Sequence, residues 1–137
     1  MCYNNAIIVV ARFQMVAEMD KLKIADALKM HPFGHFTINT MQIEDWGRDL
    51  VFDCVYDPGA PGKPTPFQLQ ICECREIRWR VYIHARNGET LPAAHIVNFN
   101  LGTHQHRKPL NLLTDHFGLT ALYDEVMIRN GGDPVVL

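Results

Sequence analysis

Four side chains in this 137-residue sequence have the softness and spacing to hold a metal ion: the pairs Cys72-x-Cys74 and His104-x-His106. Alternate residues of a strand project to one side, so each pair can present two ligands together, and thiolate with imidazole closes a tetrahedral zinc site. Zinc modules space their paired cysteines roughly two to four residues apart on a knuckle, which a one-residue gap in an alternating strand does not reproduce. Two small thiols on a sheet face and two solvated loop histidines are the plainer account.

A nucleophilic cysteine is the second candidate. Cys54 stands in a clear strand pattern, but Asp53 beside it points to the other face, so a thiol among apolar partners reads as inert core. The sequence contains no serine, and no H-E-x-x-H, Walker loop or G-x-G-x-x-G. A hydrolase would have to work with Cys72, Cys74, His104 and His106. Asp49, Asp53 and Asp57 recur every four residues on one strand face. Ion pairing across the sheet to Arg78 and Arg80 accounts for them more simply than acid/base catalysis, because nothing in their neighbours promises the burial that raises a carboxyl pKa.

Basic residues gather at Arg75, Arg78, Arg80 and Arg86 and again at His106-Arg107-Lys108. A nucleic-acid surface wants aromatic and cation on the same side, whereas alternation turns Trp79 away from Arg78 and Arg80. Weak nucleic-acid or anion binding through Arg78, Arg80, Arg107 and Lys108 stays as an alternative, with His106, Arg107 and Lys108 as an anion-binding turn. Pro58, Pro61 and Pro64 follow the three-residue repeat of a polyproline II helix and offer a partner-docking loop, although Gly59 and Gly62 loosen it.

The elements that must hold these groups follow from periodicity. From Met15 to Met30, Val16, Ala17, Ile24, Ala27 and Leu28 share one helical stripe, and Glu18 with Lys21, Asp20 with Lys23 and Asp26 with Lys29 support the outer face. His31-Pro32-Phe33-Gly34 ends this helix, Gly34 turning the chain. After Phe36 the period falls to two, giving strands over 50–57, 67–74, 76–83, 96–101 and 110–113 with one apolar and one wet face. Segment 117–129 fits either a strand or a helix capped by Thr114 or Asp115; Leu119, Ala121 and Tyr123 alternate, which favours strand. Arg86-Asn87-Gly88-Glu89 is a turn signal.

Asp45-Trp46-Gly47, the run Cys72 to Trp79, the stretch Gly102 to Pro109, and Thr114-Asp115-His116-Phe117 with Leu122-Tyr123 come in an order that resembles a set of small bacterial domains, chiefly cyanobacterial, without an assigned activity. The similarity runs from about Lys21 to Arg129. It implies a compact β-rich fold with a leading helix and a strand reading after Phe117, and it carries no functional residue across.

Length, a 47 % apolar content and a net charge of −2 admit one core, and exclude both low-complexity disorder and a polyanion-coating protein. The apolar run Ala6 to Ala11 is too short to span a bilayer, and four cysteines do not make a secreted disulfide scaffold, so a cytoplasmic protein is expected. The predicted architecture is α+β: one N-terminal helix packed on a twisted, mainly antiparallel sheet of five to seven strands. Residues 1–14 would be an extension or leading strand, 15–130 the single domain and 131–137 a tail. Trp79, Ile77, Val81, Phe99, Phe52 and Ile71 should be core. By elimination the chain reads as a non-catalytic protein-binding or assembly domain, regulatory or immunity-like, without a cofactor. Its partner would be another protein or, through an exposed sheet edge, a second copy.

Overall fold

The computed structural model describes residues 20–84, 90–102 and 109–137. Residues 1–14, the first turns of the expected helix and the Arg86–Glu89 turn therefore lie outside the described residues. Helix α1 covers residues 20–27. Nine strands follow: β1 His35–Glu44, β2 Asp49–Asp57, β3 Thr65–Cys72, β4 Arg75–Val81, β5 Ala94–Asn100, β6 Leu110–Thr114, β7 Phe117–Leu122, β8 Glu125–Arg129 and β9 Val135–Val136. The fold is α+β with a large antiparallel sheet, but the nine strands among the described residues exceed five to seven. Segment 35–44 forms a full strand, the 117–129 run is divided at Tyr123-Asp124, and Val135-Val136, within the expected tail, pairs with β8.

The spatial order is β4-β7-β6-β5-β1-β2-β3-β8-β9, every neighbouring pair antiparallel. Two links explain how this sheet closes over its own core. β3 passes into β4 through Glu73-Cys74, and β7 passes into β8 through Tyr123-Asp124. Because β3 pairs with β8 and β4 with β7, one continuous ribbon bends at those links and belongs to both halves of the sheet, the device by which strands turn a corner. Backbone bonds fasten the bend: Cys74 N–H donates to Arg48 O at 2.6 Å and Asp124 N–H to Cys72 O at 3.0 Å. Elsewhere the halves meet through a short β1–β5 ladder, Thr37 opposite His95 and Ile38 opposite Ala94.

The core lies between the halves, with Phe52, Leu69, Ile71 and Val126 from one side and Phe99, Leu110, Leu112 and Leu119 from the other in a single cluster. Phe52, Phe99 and Ile71 are buried as their alternation predicts. Ile77, Trp79 and Val81 are not: they are 38 %, 42 % and 57 % exposed, because among the described residues β4 ends the strand order and has β7 as its one paired neighbour. Their direction matches the alternation, since Trp79 stands opposite Leu119 and stacks on Phe117 at 4.5 Å.

α1 places Ile24 and Ala25 in the same core, and the turn that follows it adds Leu28. Its buried Asp20 accepts a hydrogen bond from Leu101 N–H at 2.9 Å, while Tyr123 Oη donates to Leu101 O at 2.7 Å, so one peptide region pins the helix to both β5 and the bent ribbon. The expected Asp20–Lys23 pair is present at 3.6 Å. The helix ends before the His31-Pro32 signal: Lys29 is left-handed at φ 57°, and Lys29 N–H donates to Asp26 O and Met30 N–H to Ala25 O, a Schellman closure. Gly34 is required for room rather than for turning, because a Cβ there would lie 2.3 Å from Asp57 O. Thr114 caps no helix; its Oγ1 accepts from Phe117 N–H at 2.9 Å and closes the β6–β7 hairpin.

Candidate functional site

Residues directly opposite one another in an antiparallel ladder share a face, so the register assembles a site before any side chain is considered. Across β4, β7, β6 and β5 one row reads Arg78, Thr120, Asn111, Asn100, and the next reads Arg80, Gly118, Leu113, Asn98. The intervening residues, Leu119, Leu112 and Phe99, are buried in the core, so both rows stand on the outward face. Arg78, Arg80, Tyr82, Asn98, Asn111 and Thr120 line an open groove of about 570 Å³ along them.

Tyr82 forms one wall. Its N–H donates to His116 O at 2.8 Å, and its hydroxyl lies 2.6 Å from where a Gly118 Cβ would stand, so the missing side chain gives the phenol space to cross β7. Asn98 Oδ1 is buried in the groove and has no hydrogen-bond partner among the described residues. Buried amide oxygens are ordinarily satisfied, so this acceptor is open to a donor from a ligand.

The arginines fall into two kinds. Arg48 makes two hydrogen bonds to Glu73, at 2.7 and 2.6 Å, and Arg75 pairs with Asp124 at 3.0 Å, both beside the bend. Among the described residues Arg78 and Arg80 have no ion-pair partner. The expected bridges from them to Asp49, Asp53 and Asp57 do not form, because β4 pairs with β7 and not with β2. Those aspartates are used locally. Asp53 accepts from Thr40 Oγ1 at 2.7 Å and Gln68 Nε2 at 3.0 Å, which hold its carboxyl below the ordinary range. Asp49 accepts from Glu73 N–H and Asp57 from Gly59 N–H.

The thiols are placed for packing. Cys72 ends β3 and Cys74 lies in the bend, so they are not alternate residues of one strand, and both are buried. Burial pushes each up to about 11, with Asp49 adding to the rise. Cys54, in the core, is pushed up to about 12 by burial and then by Asp53. At neutral pH all three are protonated, and a neutral thiol is a poor nucleophile. His104 and His106, with Arg107 and Lys108, lie outside the described residues. Among the described residues no group of three or more His, Cys, Asp or Glu is placed to hold a metal ion.

The proline loop is closed by a Gly62 N–H to Gly59 O bond at 2.8 Å. A polyproline II helix has no internal hydrogen bonds, so the segment Gly59–Gly62 around Pro61 is a folded turn, and Pro58 and Pro64 flank it. No helix among the described residues is long and apolar enough to cross a membrane.

The sequence reading found Arg78 and Arg80 but missed Tyr82, Asn98, Asn111 and Thr120. Asparagine is a poor strand former, and its recurrence at 98, 100 and 111 among apolar alternations is the signal that marks this face. Compared with known proteins, the chain matches no family profile, no curated protein and no solved structure.

Proposed function

We propose that the protein is a non-catalytic binding domain that holds an acidic segment of a protein partner in the groove over β4, β7, β6 and β5. The observation that carries this reading is the pair Arg78 and Arg80, on the same sheet face as the Asn111 and Asn98 amides two and three strands away, with no carboxylate of the described chain opposite them. Exposed ion pairs contribute little singly, but two planar guanidiniums on one face can take carboxylates bidentately, and the amides and phenol add directional hydrogen bonds. Holding a partner in this way suits a regulatory or neutralising role. A reducing cytoplasm fits three unbridged thiols.

One feature supports nucleic acid as a second reading. Tyr82 brings an exposed aromatic to the groove that Arg78 and Arg80 line, whereas the Trp79 ring stacks on Phe117. The test titrates a fluorescent acidic peptide and a fluorescent single-stranded oligonucleotide into the wild type and the Arg78→Glu/Arg80→Glu variant. Peptide binding that the double variant weakens roughly tenfold or more is the expected result. Peptide binding indifferent to the substitution, or an oligonucleotide held more tightly than the peptide at the same salt, would overturn it.

A further inference from the structure

We infer that the partner's segment enters as an extended strand added to the free edge of β4. This rests on the arginine pair of the binding reading above and not on its amides: the added strand lies beside β4 in the plane of the sheet, where its carboxylates reach Arg78 and Arg80 but not Asn98 and Asn111 across β7 and β6. Among the described residues β4 closes one end of the strand order, all seven of its residues are exposed, and β7 is its one paired neighbour. Such an edge directs alternate N–H and C=O groups to its open side, a template for another strand. The ladder with β7 is irregular between Arg75 and Arg78, where Glu76 has φ 52°, so the regular template is Arg78–Val81.

The two faces of this edge state what the incoming strand must be. One face carries Arg78 and Arg80. The other carries Ile77, Trp79 and Val81, all exposed, and is continued by the β1–β2 turn: a Cβ at Gly47 would lie 3.9 Å from Ile77, and the adjacent Trp46 is fully exposed at φ 64°. A strand lying beside β4 places its own alternate side chains next to these two sets. The matching sequence therefore alternates acidic with apolar residues, its carboxylates beside the arginines and its apolar side chains over Ile77, Trp79 and Val81.

The same charges argue against a second copy at this edge. Antiparallel pairing of two β4 strands centred on Arg78, Trp79 or Arg80 sets arginine opposite arginine in every case, and like charges directly opposed destabilise a ladder. A register shifted by one residue instead sets arginine against the apolar face. Repulsion of its own kind and attraction of an acidic strand come from one pair of side chains, which is how an edge acquires specificity.

The test uses the described chain at full length and a fluorescent peptide of alternating glutamate and valine. Two further peptides carry backbone N-methyl groups on the odd or on the even residues, which removes the N–H donors of one strand edge at a time. Strand addition predicts that the parent binds, that one methylated series loses affinity by roughly tenfold or more, and that the other binds like the parent. Hydrogen exchange at β4 amides should slow in the complex. If both methylated series bind as the parent does, strand addition fails while the acidic-groove reading stands. If the parent itself does not bind, or binds Arg78→Glu/Arg80→Glu equally, the underlying reading fails too. A dimer in sedimentation without peptide, dissociated by Trp79→Lys, would assign the edge to a second copy and overturn the inference.

Discussion

β2 and β4 carry the same kind of sequence and meet opposite fates. In β2 the alternate set Leu50, Phe52, Cys54 and Tyr56 is 0–2 % exposed, whereas in β4 the equivalent set Ile77, Trp79 and Val81 is 38–57 % exposed. Both alternations send their apolar side chains toward the same core, and Trp79 reaches Phe117, which in turn stacks on Phe52 at 6.2 Å. What differs is the number of neighbours. β2 is held between β1 and β3, while β4 is paired with β7 and, among the described residues, has no strand beyond it. Alternation thus specifies a face, and the strand order decides how much of that face is covered.

Stability measurements can break this contrast most directly. Phe52→Ala should cost about 3–5 kcal/mol, the usual loss for a buried phenylalanine, whereas Trp79→Ala should cost roughly 1–2 kcal/mol from one aromatic stack and partial burial. Urea unfolding of both variants checks this, and equal losses would mean that β4 is covered after all. A smaller effect comes from the thiols. A thiol whose folded pKa is raised above its ordinary 9.0 contributes stability that is intact below that value and declines as pH rises toward the folded value. For Cys54 the decline should begin near pH 9 and continue toward about 12, and Cys54→Ala should flatten the slope of unfolding free energy across that window. The smallest effect is expected on β4's outward face. Arg78→Ala and Arg80→Ala should each change stability by no more than about 0.5 kcal/mol, since neither has an ion pair to lose among the described residues, and thermal melts decide it. A large loss would make these arginines structural and remove the reason to regard them as available to a ligand.

The contrast also explains what could be read before the fold was known. Helix, strand type and facing all follow from local periodicity, so Phe52, Phe99 and Ile71 were identifiable as core and 117–129 as strand. Strand order does not follow from it, because hydrogen-bonded neighbours are chosen by tertiary packing. For that reason the alternation of β4 does not distinguish an edge strand from an interior one, nor does it show that Arg78 and Arg80 lie apart from the aspartates of β2. The bend escaped for a related reason: Cys72-Glu73-Cys74 has the alternation of an unbroken strand, and the left-handed backbone at Glu73 belongs to the corner that Arg48 and Asp124 help secure. Of the six side chains named for the groove, the two outward arginines are legible in the sequence. The rest needed the register that sets Asn111 and Asn98 in line with them.

The ribbon formed by β3 with β4 and β7 with β8 has a consequence for how the molecule opens. Two backbones that run through both halves leave neither half free to melt alone, since unzipping one would fray the other across Cys74 and Tyr123. Amide protons on the two sides of that corner should therefore exchange with a common opening free energy, as one cooperative unit rather than two.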